Sequence, residues 1–142
     1  MKKIKIGILG ATGIVGTNYI KLLQGHPWFQ IADVAASPRS AGKTHKEAVK
    51  AKWHMNIPIP EELKGLIVRD VQDFDSIPPE LSFVFSAITM PKKEQIKEVE
   101  LKYEKILYRS DNFNRNFVFW SYWSISNDIY ERYSKPGRKG ET

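Results

Sequence analysis

The chain has 142 residues, 42% of them hydrophobic and 27% charged, which is the balance of a single globular domain. It contains no cysteine, which excludes disulfides, thiolate metal sites and a cysteine nucleophile and fits a cytoplasmic location. The formal net charge of +6 is spread along the chain, so we expect a solvated surface with neither a nucleic-acid nor a membrane partner. The histidines lack metal-ligand spacing, so no metal site is expected.

The N-terminal part of the chain predicts a βαβ unit. Residues 3–10 begin with alternating polar and apolar residues and end in a continuous apolar run, which is typical of a strand entering a buried parallel sheet. After a glycine-rich turn, apolar residues recur at helical spacing from Ile14 to Leu23, and the sequence at 25–27 ends the helix. A second apolar run over residues 29–36 predicts the next strand.

The later elements are weaker, but their order supports the same fold class. We expect an α/β fold, a Rossmann-type doubly wound parallel sheet, formed as a single domain by residues 1–112. The predicted elements are a short helix over 44–53, a short strand over 66–69, a strand over 81–88, a helix from Pro91 to about Tyr103 and a last strand over 106–108.

Residues 113–142 form an irregular tail that is crowded with aromatic side chains without a clear period. Exposed aromatic clusters are unusual, so these rings are expected to cover a bare sheet edge or to pair two copies of the chain. The final residues, 135–142, combine glycine, proline and charge without an apolar pattern, and we expect them to be disordered.

The glycine-rich turn at residues 10–16 is the main functional signal. Gly10 permits a tight turn, Gly13 lets the backbone approach a pyrophosphate, and Gly16 lets the helix pack closely on the strand. The start of the helix then offers free amides and a positive dipole end to phosphates. A mononucleotide P-loop is excluded because no Gly-Lys-Ser/Thr sequence follows. The candidate pyrophosphate-binding residues are Gly10, Thr12, Gly13, Ile14, Val15 and Gly16.

The end of the second strand bears on the choice of dinucleotide. NAD-binding units usually have an acidic residue there, which holds the ribose 2′-hydroxyl, but Asp33 lies four residues before the end of this strand. Arg39, with Ser37 and Ser40, could instead bind a 2′-phosphate through a guanidinium and two hydroxyls. The alternative is a solvated surface arginine. The sequence therefore favours NADP over NAD as the cofactor.

These segments carry a family resemblance. Residues 7–16, 26–29 and 36–43, the last including Arg-Ser-Ala-Gly-Lys, resemble the N-terminal part of aspartate-semialdehyde dehydrogenases, particularly the archaeal and fungal branch. Residues 84–87 resemble the family strand that leads toward the nicotinamide, which adds Ser86 and Ala87 to the candidate cofactor-binding residues. The resemblance covers residues 1 to about 110.

The resemblance implies an oxidoreductase of amino-acid biosynthesis that interconverts aspartyl phosphate and aspartate semialdehyde with NADP. The family uses a cysteine nucleophile and a histidine base, which lie in or beside a second domain. This chain has no cysteine, none of its histidines matches that base, and an unrelated aromatic sequence follows residue 112. We therefore expect only the N-terminal NADP-binding domain, a truncated or frame-disrupted copy that binds cofactor and is inactive alone, with no catalytic residues of its own.

Three alternatives remain at this stage. A short-chain dehydrogenase or epimerase shares the glycine turn but needs a Tyr-x-x-x-Lys pair, which the sequence lacks. A nucleic-acid binder is disfavoured because the tail aromatics lie on no recognisable RNA-binding strands. A non-catalytic NADP-binding sensor or subunit would need no nucleophile, which agrees with the absence of cysteine. Besides NADP(H), the partners left open are a second copy of the chain and a separately encoded catalytic domain.

Overall fold

The structure, a computed structural model, describes residues 2–107 and the backbone of residues 120–121. Its sheet is parallel throughout, in the order β3-β2-β1-β4-β5. The chain therefore builds one half of the sheet outward from β1 and then crosses to the other side of β1, which confirms the doubly wound Rossmann-type arrangement. The strands are β1 Ile4–Leu9, β2 Phe29–Ala36, β3 Arg69–Asp70, β4 Phe83–Ser86 and β5 Trp120–Ser121.

The helices lie in the connections between these strands. They are α1 Ile14–Leu23, α2 His45–Val49, α3 Glu61–Lys64 and α4 Lys93–Leu107, and a 3-10 turn covers Phe74–Ser76. The start of α2 is fixed by a capping box, in which Thr44 and Glu47 each accept a hydrogen bond from the other's backbone amide. No helix in the described part of the chain has the length and apolar character needed to cross a membrane.

Each face of the sheet has its own hydrophobic core. Because successive side chains of a strand point to opposite faces of the sheet, Ile6 and Ile8 of β1 pack on the α1 face and Leu9 packs on the α4 face. The buried core residues on the α1 face are Ile6, Ile8, Ala11, Ile20, Leu23, Val34, Ala36, Leu63 and Val68. Those on the α4 face are Leu9, Ala35, Val71, Ile77, Leu81, Val84, Val99, Tyr103 and Leu107.

The prediction of a last strand over residues 106–108 is wrong. Ile106 and Leu107 continue α4, where Leu107 is 7% exposed and packs into the core together with Val99 and Tyr103. The spacing of these three residues is four and four, so the helical period extends to Leu107 and outweighs the local strand preference. Tyr108 lies outside the described residues. The position beside β4 is filled instead by Trp120–Ser121, whose backbone pairs with Phe85 and Ser86.

Other boundaries differ from the sequence-based expectation. The strand expected over 66–69 is β3 Arg69–Asp70, and Ile67 only bridges to Thr44. Helix α4 begins at Lys93, with Pro91 just before it, and α2 is shorter than predicted. Helix α3 and the 3-10 turn were not predicted. The domain boundary at 112 and the expected disorder at 135–142 fall outside the described residues.

Candidate functional site

A groove of about 350 Å³ opens at the carboxyl-terminal edge of the parallel sheet. Its walls come from the segments that follow β1, β2, β3 and β4, so it lies at the point where the strand order reverses around β1. Doubly wound folds bind ligands at this point. The lining residues are Gly10, Thr12, Gly13, Ala36, Ser37, Pro38, Arg39, Val71, Gln72, Ala87, Ile88, Thr89, Met90 and Pro91.

Two glycines of the turn are required by the packing of the protein itself. Gly10 has a φ of 75°, and a Cβ there would lie 2.3 Å from the carbonyl oxygen of Ala87 in the loop after β4. A Cβ on Gly16 would lie 2.0 Å from the carbonyl oxygen of Gly10. Both contacts involve backbone atoms, which cannot move aside cheaply. Gly10 and Gly16 therefore allow the turn, the helix and the β4 loop to come together.

Gly13 has a different reason for lacking a side chain. A Cβ there would meet only the Gly10 oxygen, at an ordinary 3.7 Å, and the residue lines the groove. Gly13 is also the N-cap of α1, and no side chain caps this helix end. Within the described residues, the amides of Ile14, Val15 and Gly16 have no hydrogen-bond acceptor. This end of the groove therefore combines free N–H donors with the positive end of the helix dipole, which favours an anion.

The loop after β2 carries the positive charge of the groove. The Ser37 carbonyl accepts the amides of Ser40, at 2.9 Å, and Ala41, at 3.1 Å, which closes a tight turn around Arg39. Arg39 is exposed, lines the groove and forms no ion pair with the described part of the chain. Ser40 is buried instead, with its hydroxyl 3.5 Å from that of Thr12. The arginine loop is thereby attached to the glycine turn.

Asp33 is occupied by an ion pair inside the protein. Arg69 donates from Nε to Oδ1 of Asp33, at 3.2 Å, and from Nη2 to Oδ2, at 2.9 Å, and both side chains are at most 10% exposed. Tyr103 accepts a hydrogen bond from Arg69 and donates one to the Val71 carbonyl at 2.9 Å. Burial raises the pKa of Tyr103 to about 12, so its hydroxyl stays a donor at neutral pH. This network fixes β3 against β2 and α4, and it holds Asp33 buried, with both oxygens bonded to Arg69, outside the groove lining.

The strand β4 contributes its end to the groove through Ala87 rather than through Ser86. Ser86 is 1% exposed, and its hydroxyl donates to Oε1 of Glu100 on α4 at 2.8 Å. Ala87 lines the groove, followed by Ile88 and the residues up to Pro91. Sequence reasoning had included Ala87 but missed Ile88, Thr89, Met90 and Pro91, together with Val71 and Gln72 after β3. The usable signal was that the carboxyl ends of parallel strands meet at the same edge of the sheet.

The candidate residues divide into two groups around the groove. Those that line it are Gly10, Thr12, Gly13, Ser37, Arg39 and Ala87. Those that stand behind it or beside it are Ile14, Val15, Gly16, Ser40 and Ser86. Arg39 is the one ionisable side chain among the lining residues of the described chain. The groove can therefore bind anionic groups, but it offers no carboxylate, histidine or lysine for general acid–base catalysis.

His45 lies behind the glycine turn, and no sequence pattern had marked it as a candidate. It is fully buried, and its Nε2 lies 3.1 Å from the carbonyl oxygen of Ala11 in the glycine turn. Burial lowers the pKa of His45 below its ordinary value of 6.5, and the bond to Ala11 only partly opposes this. Its imidazole is therefore neutral at physiological pH and donates Nε2–H to the carbonyl.

Together, the doubly wound sheet, the glycine turn and the groove at the strand reversal define a dinucleotide-binding domain of the Rossmann type. Residues 5–107 match the family described as Semialdehyde dehydrogenase, NAD binding domain. The chain belongs to this family, which confirms the resemblance seen in the sequence.

The relatives of the chain are aspartate-semialdehyde dehydrogenases of fungi and archaea. The protein of Schizosaccharomyces pombe is 45% identical over 86 residues, covering 59% of this chain and 22% of the relative. That of Methanothermobacter thermautotrophicus is 35% identical over 109 residues, covering 76% of this chain and 29% of the relative. The chain thus spans less than a third of the length of these curated relatives.

One solved structure supports the likeness in three dimensions. The aspartate semialdehyde dehydrogenase of Candida albicans, crystallised with NADP, matches with a TM-score of 0.61 and 32% sequence identity. The match covers 74% of this chain and 28% of that chain. The shared part is therefore the dinucleotide-binding fold described above.

Proposed function

We propose that this domain binds NADP in the groove at the carboxyl edge of the sheet. The pyrophosphate lies against the uncapped start of α1, and the 2′-phosphate is bound by Arg39. The observation that carries the proposal is that an uncapped helix N-terminus and a guanidinium open on one groove, where the described residues supply neither an ion-pair partner nor any acidic side chain. Both features favour the anionic groups of NADP.

The preference for NADP over NAD rests on the surroundings of the second strand. NAD needs an acceptor for its ribose 2′-hydroxyl, and the nearest acid of this strand, Asp33, is held by Arg69. Arg39 offers the donors that a 2′-phosphate requires, with Ser37 beside it on the groove wall. The Candida albicans relative was crystallised with NADP, which supports the same choice.

The domain supplies the cofactor half of an aspartate-semialdehyde dehydrogenase reaction in the cytoplasm, and the chain is inactive alone. The sequence has no cysteine for a thioacyl intermediate, and the described groove has no acid–base group. The nucleophile, the base and the substrate pocket would come from a catalytic domain that these residues do not include. Purified chain given aspartate semialdehyde, phosphate and NADP should form no NADPH above the background without protein.

A non-catalytic sensor or subunit is the second candidate, favoured by the same absence of acid–base groups in the groove. Such a module would bind NADP equally well, alone or as a homo-oligomer. The two candidates differ in what restores turnover. A catalytic domain from a relative, added in trans, should give NADPH formation only if this chain is the cofactor half of an enzyme.

The proposal is tested by calorimetric titration of NADP and NAD into the wild type and Arg39→Ala. Loss of Arg39 should weaken NADP by about 1.5–3 kcal/mol, the range for a hydrogen bond to a charged group, and leave NAD nearly unchanged. Lys50→Ala is the matched control, since it removes one exposed positive charge outside the groove lining. Equal losses for both cofactors in Arg39→Ala would mean that Arg39 does not recognise the 2′-phosphate.

A further inference from the structure

His45 contacts the glycine turn from inside the protein. Its side chain is 0% exposed, and its Nε2 lies 3.1 Å from the Ala11 carbonyl oxygen. A carbonyl can only accept, so the imidazole carries its proton on Nε2. In agreement with this tautomer, the buried Nδ1 has no hydrogen-bond partner within the described residues.

The backbone of His45 is itself held firmly. Its amide donates to the Leu66 carbonyl at 2.8 Å. The preceding residue, Thr44, caps α2 and accepts the Glu47 amide at 3.3 Å. The position of the imidazole donor is therefore fixed, because the amide of His45 and the side chain of the preceding residue are both hydrogen-bonded.

The carbonyl that His45 holds belongs to the peptide unit that joins Ala11 to Thr12. Since a trans peptide is planar, the Thr12 N–H points opposite to the Ala11 carbonyl. Thr12 lines the groove, and its amide has no acceptor in the described part of the chain. The bond from His45 thus sets the direction in which one backbone donor of the glycine turn is presented.

The two ends of the groove are linked through the same segment. The Arg39 loop and the start of α2 that follows it contact the glycine turn at two points: the hydroxyl pair of Ser40 and Thr12, and the bond from His45 to Ala11. The bond from His45 to Ala11 is the shorter of the two, at 3.1 Å against 3.5 Å. Because its donor is fully buried, water does not compete for this bond.

We propose that His45 is a positioning residue for dinucleotide binding: its neutral imidazole donates Nε2–H to the Ala11 carbonyl and so holds the Thr12 amide toward the pyrophosphate. The proposal rests on the proposed function of the groove. It differs from a packing role because the hydrogen-bond donor, and not the volume of the ring, carries the effect. Both NADP and NAD contain the pyrophosphate, so both cofactors should depend on it.

The test compares His45→Gln with His45→Met. The two side chains are similar in length and flexibility, but only glutamine can donate a hydrogen bond to the Ala11 carbonyl. His45→Met should weaken NADP and NAD by the same factor, about tenfold, which is the effect of one misdirected hydrogen bond. His45→Gln should bind both within about threefold of the wild type. Circular dichroism and thermal unfolding confirm that each variant is folded at the temperature of titration.

Two outcomes would overturn the proposal. Equal affinities in folded His45→Gln and His45→Met would mean that the donor is irrelevant. A wild-type His45 protonated on Nδ1 and not on Nε2, as read from its imidazole ¹⁵N shifts, would remove the donor altogether. The second measurement needs neither a variant nor a cofactor, so it decides the matter even if a variant does not fold. A wild type that binds neither dinucleotide would instead refute the proposed function.

Discussion

At the scale of single residues, the three glycines of the turn have separate reasons to be glycine, and alanine substitutions should separate them. Gly10→Ala and Gly16→Ala would press a Cβ to within 2.3 and 2.0 Å of backbone atoms, so each should lose at least about 2 kcal/mol in the free energy of unfolding. A Cβ on Gly13 makes only an ordinary contact, 3.7 Å from the Gly10 oxygen, so Gly13→Ala should lose less than about 1 kcal/mol. Urea unfolding measures all three.

Gly13→Ala should nevertheless weaken NADP at least about tenfold, equal to about 1.4 kcal/mol, because its methyl group enters the path of the pyrophosphate. Gly65→Ala is the matched control, because a Cβ there meets nothing within 4 Å and Gly65 does not line the groove. It should change neither stability nor affinity. If Gly13→Ala binds NADP like the wild type, the pyrophosphate does not pass over Gly13.

The burial of His45 should make the folded protein less stable in mild acid. Its folded pKa lies below its unfolded value, so below about pH 6.5 the unfolded chain binds a proton that the folded chain resists. Stability is therefore full above pH 6.5 and falls as pH drops toward the folded pKa. Between pH 7.5 and 5.5 the wild type should lose more stability than His45→Gln in urea unfolding, at a rate of no more than about 1.4 kcal/mol per pH unit. Parallel losses in the two proteins would contradict this.

Some residues of the site could be predicted from the sequence and others could not. The roles of Gly10, Gly13 and Gly16 follow from local spacing, because the turn, the ligand approach and the helix packing are contiguous in the chain. The contact of His45 with Ala11 joins residues 34 apart, and the ion pair of Asp33 joins residues 36 apart. No local pattern encodes such pairs, since they arise only when the strands and loops come together.

At the scale of elements, the strands with solid apolar runs were predictable and α4 was predictable only in part. The last four residues of β1 and of β2 are buried on both faces, and β4 alternates buried with half-buried residues, so all three strands contain apolar runs. The end of α4 was misread because Ile106 and Leu107 are apolar neighbours, as in a strand. The packing of Leu107 on the same face as Val99 and Tyr103 extends the helix through them.

The burial of Leu107 gives a direct test of this helix end. Leu107→Ala should lower the free energy of unfolding by about 2–3 kcal/mol, since a buried leucine leaves a cavity. Leu101 lies on the same helix with 45% of its surface exposed, so Leu101→Ala should cost less than about 1 kcal/mol. Equal losses in chemical denaturation would show that Leu107 does not pack against the sheet.

At the scale of the whole molecule, the described groove offers groups for binding and none for acid–base chemistry. The sheet brings four loops together at one edge, and their described residues supply the groove with free amides and one arginine but no acid or base. The sequence predicted the class of cofactor because the glycine turn and the arginine loop are each continuous in the chain. Beyond Ala87 it missed the wall after β4, because that wall is assembled only when β4 pairs beside β1.

The central claim is that NADP occupies this groove, and amide chemical shifts of the ¹⁵N-labelled chain during NADP titration test it most directly. Saturable shifts should concentrate at residues 10–16, 37–40 and 87–90, with the rest of the described chain nearly unaffected. NAD should reproduce the shifts at 10–16 but not those at 37–40, since it lacks the 2′-phosphate. No saturable shift with NADP, or shifts confined to the opposite edge of the sheet around Trp28, would contradict the account.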